Sequence, residues 1–349
     1  MITDFSVIEG QYFRDILDQP QALDDTLAGF ENSKDLAHFA SRLNKGEFRK
    51  VVLTGMGSSF HALHPLCLEL VEQGFVALMV ETSELVHYKA QLLDPETLVV
   101  AVSQSGQSAE MVRLIELNRK RATVIAVTNT PRSPLAENAD AALLTCAGKE
   151  FSVSCKTYLT ALMGLRWLGG ILCKRDIERT RQELSQAASA VDEYLSAWKG
   201  HVHELARKLT GIRHLFLVGR GPSLSAVGTG ALIVKESNQF HAEGMSSAAF
   251  RHGPLEMLRR EIFVLVFAGE EKTQDLNVRL FEDILEQEGN AGLVGECSFP
   301  PAFQLPDRGR GLRAILEILP VQMITLALAT QAGREPGRFE LATKVTTRE

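Results

Sequence analysis

The chain has 349 residues, 45% hydrophobic and 23% charged, with a formal net charge of −6. That length accommodates two domains that each bury a core, and the acidic balance argues against a nucleic-acid or anionic-membrane partner, either of which needs a basic field. Met1 to Phe5 show neither the basic nor the apolar part of a leader, and no uninterrupted apolar run reaches transmembrane length, so a cytoplasmic protein without membrane contact is expected.

Residues 1–48 read as a helical lead-in, with Ile16, Leu17, Ala22, Leu23, Leu27 and Phe30 spaced for one buried face and Pro20 marking a break. An apolar strand, Val51-Val52-Leu53-Thr54, then turns through Gly55-Met56-Gly57-Ser58-Ser59 into a helix over 63–71. Further buried strands are expected over 74–80, 98–102, 123–128 and 141–144, separated by helices. Continuous apolar strands alternating with helices predict a parallel sheet covered on both faces. The strand over 98–102 stops abruptly in Ser103-Gln104-Ser105-Gly106-Gln107-Ser108, followed by Met111, Leu114 and Ile115 at helical spacing. Ser105 is the expected cap of that helix. Unpaired N–H groups at a helix start suit an anion, so the serines either cap the helix or hold a phosphate.

Residues 156–209 read as helical, first apolar and then charged. A second round follows: a strand over 214–218 enters Gly219-Arg220-Gly221-Pro222-Ser223 and a long helix, and another strand over 261–266 ends in Phe267-Ala268-Gly269-Glu270-Glu271-Lys272. Gly55 and Gly219 stand 164 positions apart, as do Ser103 and Phe267, so an α/β unit is duplicated in register. Ser103, Ser105 and Ser108 give way to Phe267, Gly269 and Lys272 in the second copy. A purely architectural role predicts serines in both copies, so the divergence favours a functional role for the first set.

The glycine pairs lack the third glycine of a dinucleotide fingerprint, Phe60 and Leu224 standing there, and no GxxxxGK[ST] occurs; no cofactor is expected. The five cysteines lack a CxxC pair and are expected to be buried free thiols, and His201-Val202-His203 reads as a solvated helix face, so no metal site is expected. The densest polar stretch runs from Lys235-Glu236 through His241-Ala242-Glu243 to Arg251-His252-Gly253-Pro254. A buried Glu beside a His supplies general acid–base chemistry. Equally, Glu236 can lie on a solvated helix face while His252 caps a turn, and spacing alone leaves both readings open.

Gly57-Ser58-Ser59, the 103–108 loop, Lys235-Glu236 with His241-Ala242-Glu243, Arg251-His252-Gly253-Pro254-Leu255 and the tail Ala342-Thr343-Lys344-Val345-Thr346 together resemble the double sugar-isomerase (SIS) domain family. The resemblance is strongest to the isomerase half of the glutamine:fructose-6-phosphate amidotransferases, and it runs from Val51 to the C-terminus. It implies an α/β fold of two tandem SIS domains, each a parallel sheet flanked by helices in a flavodoxin-like three-layer sandwich. The expected boundaries are 49–172 for the first domain, 173–210 for a helical bridge, 211–332 for the second domain and 333–349 for a tail completing the site.

The resemblance also implies roles. Ser59, Ser103, Gln104, Ser105 and Ser108 match the residues that hold a sugar phosphate. Glu236 matches the glutamate that moves a proton between C1 and C2. His252 matches a histidine that assists ring opening across a homodimer interface, and Lys344 a tail lysine that forms a Schiff base with the open-chain ketose. Ile233 and Ala249 stand where the synthase pattern has a lysine and a glutamate, and no cysteine nucleophile follows Met1. The implied activity is therefore an aldose–ketose isomerase and deaminase of 6-phosphorylated amino sugars, or a ketosamine-6-phosphate deglycase. The alternatives are a non-catalytic phosphosugar-binding protein and ammonia-dependent glucosamine-6-phosphate synthesis.

Overall fold

In the computed structural model, which describes residues 5–31, 33–341 and 343–346, nine strands form two parallel sheets. The chain divides into two compact units. The first holds Gln21–Glu150, Cys155–Gln186 and the described tail residues 343–346, and the second holds the described N-terminal residues to Pro20, Phe151–Ser154 and Ala187–Leu341.

The first unit carries β1 (Lys50–Gly55), β2 (Ala77–Glu81), β3 (Thr97–Val102), β4 (Thr123–Thr128) and β5 (Ala141–Leu144) in the order β2-β1-β3-β4-β5. This is the flavodoxin-like order that the resemblance implies. All six residues of β3 are buried, because its neighbours β1 and β4 cover both edges and helices cover both faces. Val52, Val99, Ala101 and Ala126 pack with Met111, Leu114 and Leu135 in one core cluster. Each fully buried Val or Leu there stabilises the fold by about 1.5–3 kcal/mol. The helix Lys156–Leu172 is almost wholly buried, only Arg166 and Ile171 being partly exposed, with the Trp167 ring stacked on Phe30 at 5.4 Å.

The second unit carries β6 (His214–Gly219), β7 (His241–Ser246), β8 (Ile262–Phe267) and β9 (Asn290–Val294) in the order β7-β6-β8-β9. Both β1 and β6 run six residues and end on a glycine, 164 positions apart, so the duplication holds at the level of the strand. The two turns that follow also repeat, with Gly57 at φ +53° and Gly221 at φ +59°. A residue with a side chain would be strained at either place.

Four local expectations need correction. Of the strand expected over 74–80, β2 keeps 77–80 and extends to Glu81; Gly74 is a turn at φ +84°, and β2 is an edge strand with Leu78 partly exposed. The polar stretch 241–246 is itself a strand, β7, also at an edge, where exposure removes the need for an apolar sequence. His201 is buried against the Tyr194 ring at 4.6 Å, not solvated. Only Cys155 is fully buried; Cys67 and Cys173 are half-buried, and Cys146 and Cys297 are exposed, all five as free thiols. The segment Arg310–Ala332 is long and apolar enough to cross a membrane by length and composition, although Arg310, Arg313 and Glu317 interrupt it in sequence; 89% of its most apolar window is buried in the protein.

Candidate functional site

Strand order determines where a ligand finds room. In the first sheet the chain moves from β1 outward to β2 on one side and from β3 to β4 on the other, so the two crossovers diverge between β1 and β3. A crevice opens outside the carboxyl ends of strands at such a switch point. Ser59 lies just past β1 on the helix Gly57–His61, its N–H donating to the Met56 carbonyl at 3.1 Å. The 103–108 loop leaves β3 at the same end. Ser59 and the 103–108 loop therefore follow the two strands that flank this switch point.

The loop is held by its own hydroxyls and backbone. Ser103 Oγ accepts from the Gly106 N–H at 3.1 Å, and Ser105 Oγ from the Gln107 N–H at 3.3 Å. Accepting leaves each serine its own O–H to donate to an anion. The Gln104 carbonyl accepts from the Asn129 N–H, Thr128 Oγ1 and Thr130 Oγ1, which ties the loop to the end of β4. Gly106 takes φ +63°, and a Cβ there would stand 2.1 Å from Ser133 Oγ. The expected cap is displaced: the helix Ala109–Asn118 is preceded by Ser108, with no side-chain cap, because the left-handed Gly106 spends Ser105 inside the turn. Amides at that helix start carry the positive end of the dipole.

The tail reaches this unit too. The Thr346 carbonyl accepts from the Ala109 N–H at 3.1 Å, and Lys344 Nζ pairs with Glu150 Oε2 at 2.5 Å. Glu150 also accepts from the Cys155 N–H at 2.9 Å, the Thr157 N–H at 3.0 Å and Thr157 Oγ1 at 2.6 Å, at the start of the helix Lys156–Leu172. Burial pushes its carboxyl upward, but the Lys344 charge and these hydrogen bonds outweigh it and hold the group below the ordinary glutamate range. Glu150 was not singled out from sequence. An acidic residue shortly before an apolar helix is a readable capping signal, whereas its lysine lies 194 residues away.

Glu236 and His252 belong to the second unit. Glu236 is half-buried near the end of the helix Leu224–Asn238, and Ile233, one turn earlier, is fully buried. A lysine in place of Ile233 would be a buried cation, so the apolar residue suits this face. His252 is exposed at the end of the helix Ser247–Arg251, its N–H donating to the Ala249 carbonyl at 3.0 Å. Ser59, the 103–108 loop and Lys344 thus share one unit, while Glu236 and His252 lie in the other. Among the described residues, no group of three or more His, Cys, Asp or Glu side chains could hold a metal ion.

The second sheet has a corresponding switch point between β6 and β8, and the chain itself occupies its loops. Ser223, the counterpart of Ser59, donates to Glu317 Oε1 at 2.8 Å. Arg313 Nη1 donates to the Gly269 carbonyl at 2.5 Å, and Asn277 Nδ2 to the Ala268 carbonyl at 3.0 Å. Glu317 is almost completely buried, and that burial pushes its carboxyl up to about 7.

The model of the SIS domain matches residues 47–168 and 208–290, together more than half of the chain. A glutamine–fructose-6-phosphate aminotransferase (isomerizing) from Pyrococcus horikoshii is 30% identical over 348 residues, spanning 95% of this chain and 57% of that protein. The chain thus spans little more than half the length of this relative. A tagatose-6-phosphate ketose/aldose isomerase from Escherichia coli superposes with a TM-score of 0.82 at 20% identity, covering 95% of this chain and 96% of the other. A glucosamine-6-phosphate deaminase from Thermotoga maritima gives a TM-score of 0.77 at 19% identity, covering 97% of this chain and all of the other. These two likenesses establish the fold; with the family match they make this chain a member of the SIS domain family, with the double-sheet fold of phosphosugar isomerases.

Proposed function

We propose that the chain is a phosphosugar enzyme acting on a 6-phosphorylated amino sugar, either as an aldose–ketose isomerase and deaminase or as a deglycase that splits an amine from a ketosamine 6-phosphate. The observation that carries this reading is the 103–108 loop at the switch point between β1 and β3, where two buried serine hydroxyls and a helix start provide an anion cradle without a lysine or arginine in the loop. Ser59, Ser103, Gln104, Ser105 and Ser108 would anchor the phosphate, which converts a flexible polar sugar into a positioned one. Glu236 would carry the proton between C1 and C2, and the amine of Lys344, released from its pair with Glu150 and deprotonated, would add to the ketose carbonyl and expel its oxygen as water to form an imine. His252 is exposed on its own chain, which suits a group contributed to a second copy in a homodimer.

A thermal-shift series with phosphorylated sugars, followed by an ammonia- or amine-release assay on the stabilising ligands, tests the reading. Glucosamine 6-phosphate or a 6-phospho-ketosamine is expected to stabilise the protein and to be turned over. Glu236→Gln is expected to lower turnover by about 10²–10⁴-fold; unchanged turnover would remove Glu236 from the chemistry. Ile233 and Ala249 favour a second reading, a sugar-phosphate sensor, for which saturable binding without product is the signature. Product from fructose 6-phosphate and ammonium alone would instead identify ammonia-dependent synthesis.

A further inference from the structure

We propose that Glu150 is the positioning residue of the C-terminal tail: its buried carboxylate seats the Lys344 ammonium and so latches the tail across the start of the helix that follows the 103–108 loop. Two amides and one hydroxyl satisfy Glu150 as a helix cap, yet they leave its charge uncompensated in a fully buried position. Isolated buried charge is costly, and a cation supplied from outside the local segment relieves it. Lys344 does so with a side chain only 22% exposed.

Two residues later the Thr346 carbonyl accepts from Ala109. Those two ties place residues 344–346 between the cap of the helix Lys156–Leu172 and the start of the helix Ala109–Asn118. The tail would otherwise be an exposed segment with little apolar surface to hold it. The Ala109 amide, which the tail occupies, stands at the helix start beside the loop assigned to the phosphate. The latch therefore connects the lysine assigned to imine formation with the loop assigned to the phosphate, and in that respect it rests on the reading given above.

Hydrogen exchange at the Ala109 amide, measured by NMR on the full chain without ligand, tests the latch directly. Lys344→Met keeps the Glu150 cap in place and is expected to accelerate exchange at Ala109 by about tenfold. Glu150→Gln is expected to do the same. If that variant fails to fold, the lysine pair decides the matter alone. Lys344→Arg preserves the cation and is expected to retain the protection of the parent protein, although it removes the amine needed for an imine. Unchanged exchange in Lys344→Met, or equal loss in Lys344→Arg, would overturn the proposal. Failure of the phosphosugar reading would appear separately, as an absence of thermal stabilisation by any phosphorylated sugar.

Discussion

The two sheets solve one backbone problem and fill it differently. At the first switch point, Ser59 and the 103–108 loop offer hydroxyls and a helix start, and the Gln104 carbonyl is tied back by Thr128 and Thr130. At the second, Phe267 replaces Ser103 and is fully buried, while Asn277 ties the Ala268 carbonyl. Ser223 spends its proton on Glu317. The second unit thus carries an internal carboxyl group on the serine whose counterpart is expected to meet a phosphate. Identical strand geometry does not make a site; the loop donors do, and they serve a ligand only when the chain has not already used them.

The largest expected effect comes from forcing a side chain into the first loop. Gly106→Val places a Cβ on Ser133 Oγ at a positive φ, and is expected to cost more than about 3 kcal/mol of stability and abolish phosphosugar binding. The corresponding position in the second unit is Glu270, whose φ of −78° is ordinary for a residue with a side chain. Chemical denaturation and ligand titration of the variant measure both losses. Retained binding would show that the loop geometry is not what recognises the ligand.

Glu317→Gln probes the other side of the comparison. Burial holds Glu317 near 7, above its value in the unfolded chain, so the native state binds more protons between those two values. Stability contributed by this group is therefore present at low pH and lost as pH rises through about 7. Arg313 acts against the shift and Glu270 reinforces it. Relative to the parent, Glu317→Gln is expected to gain on the order of 2–3 kcal/mol between pH 4.5 and pH 8. Urea denaturation across that range measures the gain, and parallel pH profiles for the two proteins would refute it.

The smallest effects come from the two paired serines, and they should separate cleanly. Ser59→Ala is expected to weaken phosphosugar binding by about 1 kcal/mol with little change in stability. Ser223→Ala is expected to leave binding unchanged and to lower stability by about 1 kcal/mol, by removing the donor to Glu317. Isothermal titration and denaturation of both variants give the four numbers needed.

Much of this was legible in the sequence because buried parallel strands are continuous apolar runs. β4 and β5 fall at the expected residues, and β1, β3, β6 and β8 within one or two. β7 was read only as a polar stretch: it lies at an edge, so His241, Glu243 and Gly244 can face solvent without cost. β9 carries no readable apolar run, because Asn290 and Gly292 interrupt it. The serines of the first loop were visible through their loss in the second copy, but their division of labour was not. That division depends on the left-handed turn at Gly106. Glu150 and Lys344 meet across a sequence separation that no local pattern spans.

The carboxyl group of Glu317 on Ser223 also bears on stoichiometry. A chain with two copies of one fold invites the expectation of two ligands, and of communication between them. With the second copy closed by its own side chain, the phosphosugar reading allows one ligand per chain and a hyperbolic isotherm for a lone chain. Any sigmoidal response in such a protein must then arise between chains, from the association of one copy with another.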